Sequence, residues 1–477
     1  MVKLFDTLSV INDWLWTYVV VSVLVLCALY FTVRSRGVQF RLLTDMFKIM
    51  AGRPIFSAGE SSRVRPSDVR IGRIGSFHAF AVSLSSRVGT GNLAGVASAI
   101  CIGGPGAVFW MWVMALLGAS TAFVESTLAQ FYKLRGKDSF YGGPAYYMRQ
   151  GLRRGWMGVL FAVLITFTFG IANQTVQSNT LCAALADALS VDIRLVGGLL
   201  SLATLLIIFG GVRRISRFAA IVVPVMAVGY VLTAVVVIGL NISRLPDTIM
   251  LIVRSAFGLE PAAGGAVGMG VVMMQGVKRG LFSNEAGEGS APNAAAIAHT
   301  SHPVKQGLVQ SLGVFTDTLL VCSCTAFIIL LSGLYDSGMD GILLTKYALQ
   351  SHIGPTGGLL VTIAIFLFAY STIIANYFYG ETNIMYVTRR GSFVTLFRIF
   401  TVFTVFAGSM MTLQEAWSVV DVAMGLMTLV NLVAIVELSP KVFALLDNYM
   451  MQRRQGRDPV FHKKDLPQYE HEIECWE

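Results

Sequence analysis

Arg87-Val88-Gly89-Thr90-Gly91-Asn92-Leu93-Ala94-Gly95 lies in the middle of an apolar run that extends from about Phe77 to Ile102. A run of that length can cross a bilayer, which takes about 20 residues. Its centre nevertheless carries an arginine, a threonine, an asparagine and three glycines. Unpaired backbone groups are so costly in hydrocarbon that irregular backbone persists only where it lines a cavity or is buried in protein. Glycine weakens a helix and lets a ligand approach bare backbone. The stretch therefore reads as a helix broken at mid-membrane, with free amides and carbonyls offered to a small polar solute. Gly91-xxx-Gly95 also fits a close-packing motif between helices, expected at Gly95 in any case. That motif accounts for neither Asn92 nor Arg87. A nucleotide-binding glycine loop is excluded, because the spacing is G-x-G-x-x-x-G and no strand precedes it. A pore-lining turn of a channel stays open.

The chain has 477 residues, of which 55% are hydrophobic and 13% charged. Soluble domains carry about 25% charged residues, so this is an integral membrane protein. Several separate apolar runs of spanning length make it polytopic and helical rather than a barrel. The net charge of +9 sits in short loops between the runs, which is a topology signal and not a nucleic-acid face. Five of the six cysteines lie in apolar runs and show no metal-type spacing. The first run, Trp14 to Val33, is too long for a signal sequence and reads as a retained span.

Run lengths predict an all-α polytopic protein of about eleven spans. They fall near 14–33, 76–102, 106–132, 157–188, 194–211, 217–240, 264–297, 304–333, 356–387, 393–412 and 416–438. The loop after the first span carries nine arginines and lysines between Arg34 and Arg73, which predicts an external N-terminus. Basic loops then alternate with acidic ones, and the C-terminus falls inside. The expected location is a bacterial plasma (inner) membrane, crossed many times. Stretches at Phe40 to Met50 and Ile342 to Gln350 fit interfacial helices. The tail after Met450 reads as solvated and partly disordered.

A second irregular span contains Gln275-Gly276-Val277-Lys278-Arg279-Gly280-Leu281-Phe282-Ser283-Asn284-Glu285-Ala286-Gly287-Glu288-Gly289-Ser290. Each central charge would cost about 2.5–3.5 kcal/mol in a lipid-facing helix, so a second break is expected here. The two interrupted spans lie five apart, and an odd offset inverts the second set. Broken helices at corresponding places in inverted halves point to a secondary-transporter site. The expected organisation is an N-terminal helix and basic loop (1–75), a first five-helix repeat (76–240), a second inverted repeat (241–447) and a cytoplasmic tail (448–477).

These residues resemble a known family. Val88 to Ala97 running on to Gly103-Gly104-Pro105-Gly106, Glu125-Ser126-Thr127-Leu128-Ala129-Gln130, Gly142-Gly143-Pro144-Ala145-Tyr146-Tyr147 and Phe282-Ser283-Asn284-Glu285-Ala286-Gly287 resemble the alanine or glycine:cation symporters. The resemblance implies a leucine-transporter-like 5+5 inverted-repeat fold preceded by one extra helix. It also implies sodium-coupled symport of alanine and/or glycine, D-alanine included, with no enzymatic activity and no cofactor beyond the coupling ion. The chain departs from the family pattern at Ala375-Asn376, where many members carry Gly-Trp, and this reopens the choice among small amino acids.

A half-helix starting near Gly91 aims amides and partial positive charge at the cavity, which suits a carboxylate. Carbonyls at the facing helix ends suit an ammonium group or sodium. The expected substrate residues are Gly89, Thr90, Gly91, Asn92, Gln177, Asn179, Phe282, Asn284 and Asn376. The implied fold places a sodium ion between the hydroxyls of Ser371 and Thr372 and the backbone carbonyls near Ser85 and Val88. The hydroxyls could instead merely bond back to their own helix. Glu125 and Glu381 are intramembrane acids that require partners or protons, and Arg87 is the expected partner of Glu125. A proton-coupled symporter is the main rival, and a channel the next. A membrane enzyme is disfavoured by the lack of an H-E-x-x-H or G-x-S-x-G motif with credible partners. The six histidines are expected to be mostly solvated.

Overall fold

The computed structural model describes residues 12, 14–56, 74–136, 139–259, 265–411 and 413–476. The chain is mostly helical, at 82%. Among the described residues, eight helices are long and apolar enough to cross a membrane. They are α1 (Leu15–Arg34), α4 (Ala107–Phe131), α5 (Gly155–Leu189), α7 (Gly211–Leu240), α10 (Pro303–Ser332), α12 (Pro355–Val387), α13 (Gly391–Gly408) and α14 (Leu413–Arg454), whose spanning part begins at Val420. The other three expected spans are α6 (Ile193–Ile208), which has only 16 residues, and two divided helices. The first divided helix is α2 (Ser76–Arg87) followed by α3 (Gly91–Gly103). The second is α8 (Gly265–Asn284) followed by α9 (Ala291–Ala296).

Burial separates a centre from a rim. About two thirds or more of the apolar windows of α4, α10 and α12 are buried, against 28% for α7 and α13. A helix apolar all round belongs in such a core or against lipid. The central helices approach closely: a Cβ at Gly307 of α10 would lie 2.1 Å from Thr127 Oγ1 and 2.8 Å from the Phe123 carbonyl of α4. Small residues at helix contacts allow this approach where no hydrophobic force drives association.

Two expectations at the periphery change. The stretch near Ile342 forms α11 (Gly341–Ile353), and it does more than lie at an interface. Its buried Thr345 donates to the Leu93 carbonyl at 3.0 Å and so braces the start of α3. The tail is not loose. Phe461, Ile473 and Trp476 are buried, and Asp458 pairs with Lys305 at 2.8 Å. These apolar side chains and this ion pair dock it.

His302 is not solvated either. It is fully buried and caps α10, its Nδ1 accepting from the Val304 amide at 3.1 Å. With Nδ1 an acceptor, the proton sits on Nε2, 3.2 Å from Asn448 Oδ1. Burial pushes its pKa down to about 3, helped by nearby Lys305 and opposed by the Asn448 bond.

Candidate functional site

Helix α2 ends at Arg87, and Val88 leaves helical geometry at φ −81° and ψ 83°. The amides freed by the break find side chains. Gly89 N donates to Asn92 Oδ1 at 2.9 Å, and Thr90 N donates to Gln177 Oε1 of α5 at 3.1 Å. On the carbonyl side, Thr372 Oγ1 of α12 lies 2.8 Å from Ser85 O, 3.3 Å from Val88 O and 3.4 Å from Ser86 O. The break thus presents carbonyls to one neighbour and amides to another, as an interrupted helix must. A Cβ at Gly89 would stand 2.5 Å from Thr372 Oγ1, so only glycine lets α12 this close.

The second break falls after Asn284, later than the charged stretch suggested. Lys278 and Arg279 stay helical within α8, and Lys278 pairs with Asp421 of α14 at 2.7 Å. Glu285, Gly287 and Gly289 all take positive φ, at 55°, 89° and 81°. Asn284 Oδ1 satisfies a freed amide just past the helix end, accepting from Ala286 N at 3.1 Å. The freed amides of Gly287 and Gly289 donate to Glu125 of α4 at 3.3 and 3.2 Å, and Asn431 adds a third donor at 2.9 Å. Glu125 is therefore a backbone clamp for this break. Its expected partner Arg87 instead donates to the Gln310 carbonyl at 3.2 Å.

The two breaks touch. Phe282 packs on Gly91, where an added Cβ would meet its ring at 3.0 Å. Ser86 Oγ lies 2.6 Å from Glu285 Oε1 and 2.9 Å from Asn376 Oδ1. Asn92 Nδ2 donates to Asp317 Oδ1 at 2.6 Å and to Ser283 Oγ at 3.2 Å. Ser283 Oγ in turn donates to Asp317 Oδ2 at 2.6 Å, and Thr318 Oγ1 adds a further bond at 2.9 Å. Asp317, in a π-helical turn of α10, thereby holds a residue of each divided helix. Buried Arg87 lies within electrostatic reach of four carboxyl groups: Glu125, Glu285, Glu288 and Asp317.

Of the expected residues, Ser85, Val88, Gly89, Thr90, Gly91, Asn92, Gln177, Phe282, Asn284, Asn376 and Thr372 gather at or between the breaks. Ser371 does not turn to the carbonyls of α2. Its hydroxyl bonds back to Phe368 O at 3.0 Å and faces Met226 Sδ at 3.6 Å. Asn179 is displaced too: two residues beyond Gln177 it falls on another face of α5, and its amide caps the end of α13 at the Gly408 and Met411 carbonyls. Gln174 joins α5 to α12 through the Ile373 carbonyl at 3.0 Å. Gly95 lines no helix contact, since an added Cβ there meets nothing within 4 Å. Asp317 was missed by the sequence reading, although a lone acid in an apolar span is itself a signal.

A family described as the sodium:alanine symporter family matches residues 1–463. A Bacillus subtilis protein named "Probable sodium/glutamine symporter" is 47% identical over 98% of this chain and 95% of its own. A Bacillus subtilis "Amino-acid carrier protein" is 45% identical over 100% and 99%. A "Sodium/proton-dependent alanine carrier protein" of Bacillus sp. strain PS3 is 38% identical over 82% and 91%. Among solved structures, MhsT in complex with L-phenylalanine aligns with a TM-score of 0.53 at 14% identity, over 83% of this chain and 92% of that one. A manganese transporter of Eremococcus coleocola aligns at 0.50 and 12%, over 77% and 80%. At those identities the likeness shows the fold alone.

Proposed function

The chain belongs to the sodium:alanine symporter family and is a multi-pass membrane transporter of amino acids with a cation, and on that premise we propose its substrate, coupling ion and binding residues. The substrate is a small neutral amino acid, alanine or glycine, of which D-alanine is a further candidate. The coupling ion is sodium, and transport proceeds inward by alternating access between the two breaks. The chain is not an enzyme and uses no cofactor. The N-terminus lies outside and the C-terminus in the cytoplasm, in keeping with the basic loops.

One observation carries the ion assignment. Thr372 Oγ1 faces three carbonyls of the first break within 3.4 Å, which is an all-oxygen set of the kind a hard cation takes. The zwitterion is assigned between the breaks, its carboxylate taking the place that the Asn92 and Gln177 side-chain oxygens hold on the Gly89 and Thr90 amides. Phe282, Asn284 and Asn376 form the rest of the wall. Bringing the cation and the carboxylate to neighbouring ends of one broken helix gives each a reason to bind more tightly when the other is present.

Asn376 favours a second reading, glutamine. A relative carries that name, and an asparagine where many members have tryptophan offers both room and a complementary amide. The deciding experiment is uptake of labelled alanine, glycine and glutamine into proteoliposomes under an imposed sodium or proton gradient. Sodium-driven uptake of alanine or glycine, poorly competed by glutamine, is expected. Uptake of glutamine alone moves the assignment to the second reading, and full-rate uptake without sodium under a proton gradient removes the sodium assignment.

A further inference from the structure

One cavity lies apart from both breaks, where α12 ends and α13 begins. It encloses about 670 Å3. Its walls are a short β-hairpin (Leu134–Arg135 with Phe140–Tyr141), the helix Pro144–Gln150, the facing ends of α12 and α13, and Glu474 of the tail. A cavity of 300–1,000 Å3 is the size that holds a compact ligand.

The charges in it are arranged by depth. Arg398 forms the floor, held by Glu381 at 2.6 Å and the Tyr377 hydroxyl at 2.9 Å. It lies seven residues into α13, about 10 Å along the axis from the helix start at Gly391. Arg149 and Arg389 stand exposed at the mouth. Between floor and mouth the rings of Tyr146 and Tyr386 meet edge to face at 5.0 Å, with the Arg149 guanidinium close enough to Tyr386 to act on it electrostatically. Glu381 is spent on Arg398, and Glu474 accepts from the Arg135 amide at 3.4 Å on the opposite wall. The ionisable lining, three arginines and two glutamates, is left with a single positive charge.

Beside this mouth α13 turns apolar side chains outward: Phe393, Leu396 and Phe400 are 48%, 62% and 45% exposed. Such a face belongs to hydrocarbon. The arginines therefore sit at the boundary where lipid phosphates lie, over a strip that acyl chains cover. Basic pockets between transmembrane helices take anionic headgroups, and guanidinium groups suit phosphate oxygens in a way lysine does not.

We propose that this cavity seats the headgroup of an anionic phospholipid, its phosphodiester held by Arg149 and Arg389 and its acyl chains laid along α13. The single net charge matches a phosphodiester's one negative charge better than the larger charge of free phosphate. The proposal does not depend on which amino acid is carried. It does bear on transport, because the same helix α12 that walls the cavity carries Thr372 and Asn376.

The test is native mass spectrometry of the full chain in detergent, titrated with phosphatidylglycerol, with phosphatidylcholine of the same acyl chains, and with inorganic phosphate. The wild type is expected to hold one phosphatidylglycerol at least tenfold more tightly than phosphatidylcholine. Arg149→Ala with Arg389→Ala should abolish that preference, and Arg149→Lys with Arg389→Lys should weaken it less. Arg454→Ala with Arg457→Ala, which removes as much charge from outside the cavity, should leave it intact. The lysine pair keeps the test decisive if the alanine pair does not fold. Equal affinity for the two lipids, or loss of preference in the Arg454 and Arg457 pair, overturns the site. Displacement of the lipid by millimolar inorganic phosphate assigns the cavity to the free anion and overturns the lipid.

Discussion

Asn92 Nδ2 donates to Asp317 Oδ1 at 2.6 Å, and this bond ties the first broken helix to a helix that runs through unbroken. Asn92 also accepts from the Gly89 amide through Oδ1, so one side chain both closes the break and anchors it. Ser283, one residue short of the end of α8, shares the same carboxylate. A buried carboxylate with three donors is the natural hub for two helices that have lost their own hydrogen bonds.

Breaking the hub from one side should be far worse than exchanging its members. Asp317→Asn leaves two amide groups face to face and is expected to lower uptake at least tenfold in folded protein. The exchange Asn92→Asp with Asp317→Asn restores a donor opposite an acceptor and keeps an oxygen for the Gly89 amide. It should recover part of the loss, with a coupling of about 1–3 kcal/mol between the sites in thermal stability. Additive single effects in that cycle would mean that the two residues act separately.

Two glycines six residues apart offer a sharper contrast than the glycine-rich motif as a whole. At Gly89 a Cβ would sit 2.5 Å from Thr372 Oγ1 and 2.9 Å from Gln177 Oε1. Gly89→Ala should therefore push α12 off the break and raise the sodium concentration for half-maximal uptake more than tenfold. At Gly95 the space is open, so Gly95→Ala should leave uptake unchanged and gain up to about 1 kcal/mol in stability from helix propensity alone. Measuring both in one series of uptake and melting curves separates close approach from mere glycine content. A normal sodium response in Gly89→Ala counts against the ion site.

The breaks were legible because they violate what a lipid-facing helix tolerates: Asn92 and three glycines in the first, Glu285 to Ser290 in the second. The position of the second break was less legible. Lys278 and Arg279 look like breakers in sequence, yet helix persists through them, because Asp421 of a distant segment neutralises Lys278. Asn179 and Gln177 are alike in type and neighbourhood, but two residues along a helix turn a side chain by about 200°, onto another face. That is why one meets Thr90 and the other meets α13. Asp317 was passed over since its partners lie 34 and 225 residues away. The docked tail depends on the same kind of distant pairing, between Asp458 and Lys305.

Acid should loosen the cap on α10. Burial holds His302 neutral, with its pKa lowered from 6.5 to about 3. Between those values the unfolded chain binds a proton that the folded chain does not, so the contribution is complete above pH 6.5 and is lost as the pH falls toward 3. His302→Gln can still accept from the Val304 amide but has nothing to protonate. The melting temperature of the wild type should drop between about pH 7 and pH 5, and the variant should show a shallower drop. Parallel curves would place the acid sensitivity elsewhere.

The two hydroxyls at Ser371 and Thr372 make the last contrast. Adjacent in sequence, both bond back to Phe368 O at 3.0 Å, but only Thr372 also reaches the carbonyls of Ser85 and Val88, while Ser371 turns to Met226. Thr372→Ala removes an oxygen from the proposed ion site and leaves the carbonyls of the break without their partner. Ser371→Ala removes a bond within one helix, worth about 1 kcal/mol or less. Thr372→Ala should raise the half-saturating sodium concentration more than tenfold while alanine affinity at saturating sodium changes less, because the substrate end of the break is untouched. Ser371→Ala should shift it less than threefold. Thr372→Ser, which keeps the oxygen, should lie near the wild type. The membrane potential supplies about 2.3 kcal/mol per 100 mV for each charge moved inward, so sodium-coupled uptake of a zwitterion should respond to an imposed potential in every variant that still binds the ion. Sodium curves at two pH values in proteoliposomes measure all of this together. If Ser371→Ala proves the more damaging, the ion sits lower against α7 than proposed. If neither matters and uptake follows pH instead, the buried carboxyls around Arg87 carry the coupling.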